Sequence, residues 1–360
     1  MKKSILIIAL ILLLGLAIFI ITAEIAAAPE KKAVSQPAEI LAGYVAPANA
    51  LPESPIITTL IFSGDVMLSR VVNQKMEKYG DWAWPFKNIA STTAAADITI
   101  INLESPFTIS SNHLVKTGSF SFNADPRSID GLKLAGVDVA ALANNHMTNQ
   151  GAKGISDTGK ILSENNIVPI GAGLNSAEAR QPVIKEVNGI KFGFLSYAYP
   201  DDYSVAGKAN AGIANMSLEK MTADVKALKP QVDNVIILMH AGTEYVNKPN
   251  RQQTDFAHAT IDAGADLVIG HHPHWVQTTE IYKGKPILYS LGNLIFDQMW
   301  STETQEGALA RIILKDKIID KIEIIPISIH DYGQAVIVAD PLQKNKILNR
   351  MGLKSDTIEF

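Results

Sequence analysis

Ala265-Asp266-Leu267-Val268-Ile269-Gly270-His271-His272-Pro273-His274 is the stretch on which the fold turns. Its first half is a short apolar run of strand length, closed by a glycine, and it reads as a buried strand. Its second half puts three histidines in the loop at the carboxyl end of that strand, where open α/β sheets carry their ligand groups. Pro273 removes one backbone N–H and stiffens the loop. His272 and His274 stand two apart, so a turn can aim both imidazoles at one point, and neutral imidazole is the commonest metal ligand. The plain alternative is three surface histidines in a polar loop, and this stretch alone does not exclude it.

Moving outward, the same pattern recurs. An apolar, β-branched run at 56–62 ends in Ser63-Gly64-Asp65. Taken singly, that Asp could just as well cap a following helix. The run 97–103 ends in Glu104 and is stopped by Ser105-Pro106. A helix over 126–135 leads into a strand over 137–143 and then Asn144-Asn145-His146, polar groups that are costly after a buried strand unless satisfied. They suit a metal and a phosphate oxygen, or an Asx-turn. A strand from 234 ends in His240, which is either a satisfied core histidine or a ligand. A strand over 286–291 runs into Gly292-Asn293 and then Phe296-Asp297.

Between these strands the periodicity predicts helices over 70–79, 156–165, 218–228 and 256–263, and a short strand over 167–170. Two strands flanking Asn188-Gly189 form a hairpin, since Asn-Gly is the favoured two-residue turn. The long polar loop 199–215 is a candidate substrate-facing lid. Two further strands, 308–314 and 319–329, precede a polar tail with one short helix. His113, His258 and His330 have no comparable setting and read as surface or structural residues.

Five apolar strands thus end in Asp, Glu, Asn-His, His and His-x-His, the mixed N/O donor set a divalent cation takes. The chain has no cysteine, which excludes thiolate metal sites, disulfides and a Cys nucleophile. An open O/N site is catalytic in character, because the metal acidifies water and screens a phosphoryl or carbonyl oxygen. A histidine that does not ligate can then protonate the leaving group.

These residues also carry a family resemblance. Ser63-Gly64-Asp65-Val66-Met67, Asn102-Leu103-Glu104, Asn144-Asn145-His146, Gly270-His271-His272-Pro273-His274 and Ser290-Leu291-Gly292-Asn293-Leu294-Ile295-Phe296-Asp297 resemble, in order, the motifs of the CapA-type proteins of poly-γ-glutamate capsule synthesis. That family is in turn similar to the calcineurin-like metallophosphoesterases. The resemblance implies an α/β fold, a metallophosphoesterase-like four-layer α/β/β/α sandwich, with a metal site of one or two divalent ions, manganese or zinc. It makes Asp65, Glu104, Asn145, His240, His272 and His274 metal ligands, with Glu104 in the bridging position. His146 becomes the general acid. Arg70, Asn144, His271 and Asn293 stand beside them as candidate substrate-binding residues. Two positions depart from the pattern. Met67 stands where metallophosphoesterases usually have a histidine, which removes a ligand from one metal. Ala241 stands where the CapA pattern usually has a tryptophan, which opens the pocket.

Hydrophobic residues make up 47% of the 360 and charged residues 19%, with a net charge of −4. No basic stripe marks a nucleic-acid binder. Met1-Lys2-Lys3 precedes an uncharged apolar run from Ser4 to Thr22. It is longer than the core of about 7–15 residues in a cleaved signal and close to the about 20 that span a bilayer. The favoured expectation is a single-pass anchor (1–22) with its lysines in the cytoplasm and the rest outside. Small residues at Ala26-Ala27-Ala28 keep a cleaved signal open. An Ala/Pro-rich tether (23–55), the domain (56–340) and the tail (341–360) follow. Two functions fit: an anchored metal-dependent hydrolase acting outside the cell on a phosphoester or on an amide in an envelope polymer, or a non-catalytic subunit that helps a membrane synthase make or export an anionic polymer.

Overall fold

The apolar run ahead of Asp65 forms the strand Ile57–Val66, buried from Leu60 onward. In the computed structural model, which describes residues 55–109, 120–199 and 204–360, this strand pairs in parallel with Ile98–Leu103 and antiparallel with Glu306–Lys315. Its sheet runs Gln334–Ile337, Ile318–His330, Glu306–Lys315, Ile57–Val66, Ile98–Leu103, Val139–Ala141, Val168–Ile170. Asn293–Ile295 and Thr357–Glu359 pair onto it from the side. A second sheet runs Thr279–Tyr282, Lys285–Leu288, Leu267–His271, Asn234–His240, Ile190–Ala198, Val183–Val187.

Side chains alternate across a strand, and here both faces are covered, which is why the central strands are near-continuous apolar runs. Leu60, Phe62, Ile98 and Ile100 of the first sheet meet Phe192, Phe194, Ile236 and Ile269 of the second. On the outer face of the first sheet Ile61 and Ile101 pack with Val72, Met76, Leu132 and Leu162 from helices. On the outer face of the second, Val235, Ile237 and Met239 pack with Met221, Val225, Phe256 and Ile261, again from helices. The fold is mixed α/β, with two facing sheets between outer helices.

Helices Arg70–Tyr79 and Leu218–Leu228 lie where the periodicity puts them. The next begins earlier than predicted, at Arg251–Ala263, because Asn250 and Gln253 form a reciprocal capping box ahead of the apolar stripe. Asn250→Ala is expected to cost about 1 kcal/mol of stability, measured as a lower urea midpoint at unchanged slope.

Two predicted elements are redrawn. The strand over 286–291 is two strands. Lys285–Leu288 lies in the second sheet and Asn293–Ile295 in the first; the chain crosses between them at Gly292, in the left-handed region at φ 66°. Residues 341–360 are not a tail. The helix Pro341–Arg350 puts Ile347 and Leu348 into the core between the sheets, and Thr357–Glu359 adds a strand. The described part of the loop expected as a lid is fixed at Gly212–Ile213, which pairs with Ala172–Gly173; residues 200–203 lie outside the described residues. His258 contacts Glu280 at 3.0 Å and stacks on Tyr282, and His330 contacts Ser328. His113 and the anchor at 1–22 lie outside the described residues. Among the described ones no helix is long and apolar enough to cross a membrane.

Candidate metal centre

Strand order brings the polar ends together. Ile57–Val66 and Ile98–Leu103 are neighbours, with Asp65 level with Asn102. Asn234–His240 and Leu267–His271 are neighbours in the other sheet, with His240 level with His271. Asp65, Glu104 and His240 each offer a ligand atom within 4.8 Å of the others, and all three are buried. His274 Nδ1 lies 3.3 Å from Asp65 Oδ2. The His272 ring centre lies 4.9 Å from that of His240, and Asn145 Oδ1 lies 3.0 Å from His240 Nε2. The loop that carries the paired histidines is strained: His272 has φ 100° and His274 φ 57°, a left-handed backbone that non-glycine residues rarely adopt.

Asn102 joins the donors. Its Nδ2 donates to Asp65 Oδ1 at 2.8 Å and Glu104 Oε1 at 3.1 Å, and lies 3.3 Å from His240 Nδ1. Burial and the Asp65 charge push the Glu104 carboxyl well above its usual range. Burial acts on Asp65 too, but the hydrogen bond and charge of His274 hold its carboxyl below the usual range. Burial lowers His240, and lowers His272 to about 4. Glu104 Oε2 and His272 Nδ1 are buried without a hydrogen-bond partner among the described residues. Two buried carboxylates and two buried atoms without a partner among the described residues are costly by themselves and fit a divalent cation.

His146 is buried and stacks on Phe122, ring centres 3.8 Å apart. Its Nδ1 lies 3.1 Å from Asn149 Oδ1, which also accepts from the Phe122 backbone N–H at 2.8 Å. A backbone N–H can only donate, so the Asn149 oxygen faces the ring, and the neutral ring carries its proton on Nδ1. Nε2 then holds the lone pair, 3.3 Å from Asn145 Nδ2. Burial pushes this imidazole down to about 3.

The four candidate substrate-binding residues separate. Arg70 is about one-fifth exposed, ion-paired to Asp297 with Nε–Oδ2 3.1 Å, and lies 4.9 Å over the Phe122 ring. The other three are buried and hydrogen-bonded within the fold. Asn144 donates to Leu103 O at 2.8 Å and accepts from His146 N, a local turn. His271 ends its strand rather than lying in the loop, with Nε2 2.9 Å from Ser63 O. Asn293 is enclosed between His274 and Thr304. Met67 is buried, and its sulfur accepts from Ser69 N at 3.1 Å.

Sequence reasoning passed over Asn102, Phe122, Asn149 and Tyr245. Asn102 had a signal: an amide inside an apolar strand, two residues before Glu104 and so on the same face. Phe122 and Asn149 had none, because only the fold brings them to His146. Tyr245 lies 6.0 Å from His274 and edge-on to Trp300, which is 61% exposed.

The fold is two-sheet α/β, and its strand ends bring the carboxylates of Asp65 and Glu104 and the imidazole of His240 into one buried cluster that could hold a metal ion. The chain belongs to the bacterial capsule synthesis protein PGA_cap family, which it matches over residues 59–298. It is 33% identical over 317 residues to the capsule biosynthesis protein CapA of Bacillus anthracis, covering 85% of this chain and 75% of that one. It is 32% identical over 292 residues to the PGA biosynthesis protein CapA of Bacillus subtilis (strain 168), covering 81% and 76%. Among solved structures, that of a hypothetical protein from Thermus thermophilus overlaps it with a TM-score of 0.49 at 16% identity, covering 76% of this chain and all of that one.

Proposed function

We propose that the protein is a membrane-anchored, extracytoplasmic hydrolase of capsule-polymer synthesis, metallophosphoesterase-like in its site. It acts on a phosphoester or on a γ-glutamyl amide of an anionic polymer. The observation that carries this reading is the buried Asp65–Glu104–His240 cluster, with Glu104 Oε2 lacking a partner among the described residues and His146 alongside Asn145. Asp65, Glu104, Asn145, His240, His272 and His274 would hold one or two ions of manganese or zinc. A bound ion supplies a Lewis acid for developing negative charge and acidifies nearby water.

The remaining chemistry belongs to the chain. Asn149 holds the His146 Nδ1 proton, so His146 exchanges protons through Nε2, the atom on the Asn145 side. Neutral at pH 7, it accepts a proton there first and returns it to the leaving group, which is how one imidazole serves as base and then acid. Arg70, kept in place by Asp297 and Phe122, offers positive charge to an anionic substrate.

The test is the full-length chain in detergent, loaded with manganese or zinc, against a generic phosphodiester and a γ-glutamyl amide. Uptake of metal with turnover of either class is the expected result. A second reading, an accessory subunit of a polymer synthase, is favoured by the relatives, which are named for biosynthesis rather than hydrolysis. Metal uptake with no turnover of either class would put it first. For the anchor, fractionation is expected to leave the whole chain in the membrane with the domain open to external protease; a soluble mature protein beginning near Ala28 would overturn that part.

A further inference from the structure

Asn293 enters the first sheet directly after the crossing at Gly292, level with Asp65 on the neighbouring strand. It is wholly buried. Its Nδ2 donates to the backbone carbonyl of Thr304 at 2.9 Å and faces Gln298 Oε1 at 3.3 Å. A carbonyl can only accept, so the amide cannot be turned round, and Oδ1 must face the other way. There it meets His274 Nδ1 at 3.0 Å. The second neighbour of that nitrogen, Asp65 Oδ2 at 3.3 Å, is also an acceptor. An unprotonated Nδ1 would set a lone pair against two oxygens, so Nδ1 carries the proton, and in the neutral ring Nε2 carries the lone pair.

We infer that Asn293 is a positioning residue: it fixes the tautomer and tilt of His274, so that Nε2 is the nitrogen this side chain offers to a cation. The inference rests on the metal-centre reading above. Were a cation to draw on the Asp65 carboxylate, the Asn293 oxygen would remain as an acceptor for the Nδ1 proton. Partners of this kind orient ligand imidazoles, and losing one typically weakens metal binding by about 10–100-fold.

Asn293 is itself held from behind. Thr304 is wholly buried, with Oγ1 donating to Gln298 O at 2.6 Å and its N–H to Ser301 Oγ at 3.2 Å. Arg350, at the end of the C-terminal helix, pairs with Glu303 at 3.2 Å and with Glu306, on either side of that threonine. The C-terminal helix therefore braces the loop that orients Asn293, and through it His274.

The test uses the full-length protein labelled with ¹⁵N-histidine, its His274 signal assigned by loss in His274→Gln. In the metal-free wild type, two-bond ¹H–¹⁵N spectra are expected to show His274 protonated on Nδ1. With zinc bound, the proton should remain on Nδ1. Asn293→Leu, close in size and without the acceptor, is expected to bind manganese about 10–100-fold more weakly by calorimetry. With zinc bound it should show His274 divided between tautomers. A wild-type His274 protonated on Nε2 overturns the inference, as does an Asn293→Leu protein that binds manganese as tightly as the wild type. Should that variant not fold, the wild-type spectra still decide the tautomer. Should the wild type take up neither metal, it is the metal-centre reading that fails, and the metal-free spectrum still reports whether Asn293 holds the Nδ1 proton.

Discussion

His272→Ala is expected to cost the protein both its metal and its turnover, whereas His146→Ala costs the turnover and spares the metal. The two residues sit close together but are tied into the fold differently. His272 offers a buried, unpartnered Nδ1 beside His240 and lies on a strained loop, so removing its ring takes a donor from the centre. His146 has Nδ1 committed to Asn149 and its face to Phe122, and its Nε2 lies beside Asn145. Its loss should lower the rate by about 10²–10⁴-fold, the usual worth of positioned acid–base catalysis. Metal content by mass spectrometry and turnover with the responsive substrate class are the two measurements. A metal-free His146→Ala protein would make His146 part of the ligand shell. A His146→Ala protein with wild-type turnover would remove it from the chemistry.

The other large effect is structural. In Gly270→Ala the new Cβ would lie 2.0 Å from the Tyr289 carbonyl oxygen and 2.6 Å from its carbon. Those are backbone atoms next to the crossing that leads to Asn293, and they cannot swing aside as a side-chain tip can. The expected cost is roughly 3 kcal/mol or more, read as a collapse of the urea midpoint, with metal uptake falling in parallel. Gly159→Ala is the control. It lies in the helix Gly151–Glu164 with nothing within 4 Å of its added Cβ, so a gain of about 0.5–1 kcal/mol is expected. A Gly270→Ala domain as stable as wild type would show that the two strands can part at no cost.

The sequence by itself determined which groups stand at strand ends. An apolar run of strand length names the polar residue that closes it, so Asp65, Glu104, Asn145, His240 and the His272–His274 pair are all legible locally. The helices over 70–79 and 218–228 are legible for the same reason, since a buried stripe and its boundaries are short-range facts. Tertiary structure alone decided which of these ends meet, because strand order and the facing of two sheets depend on contacts far apart in the chain. It also decided which partners the polar residues find. Asn144, His271 and Asn293 look as available as Arg70 in the sequence, yet each spends its hydrogen bonds inside the fold, and Arg70 is ion-paired to Asp297. Capping is local enough to read, as Asn250 and Gln253 show, but the apolar period hides it when it begins only at Phe256. The residues 341–360 look like a polar tail because Ile347 and Leu348 are too few to form a stripe; they become core only when the opening between the two sheets is there to receive them.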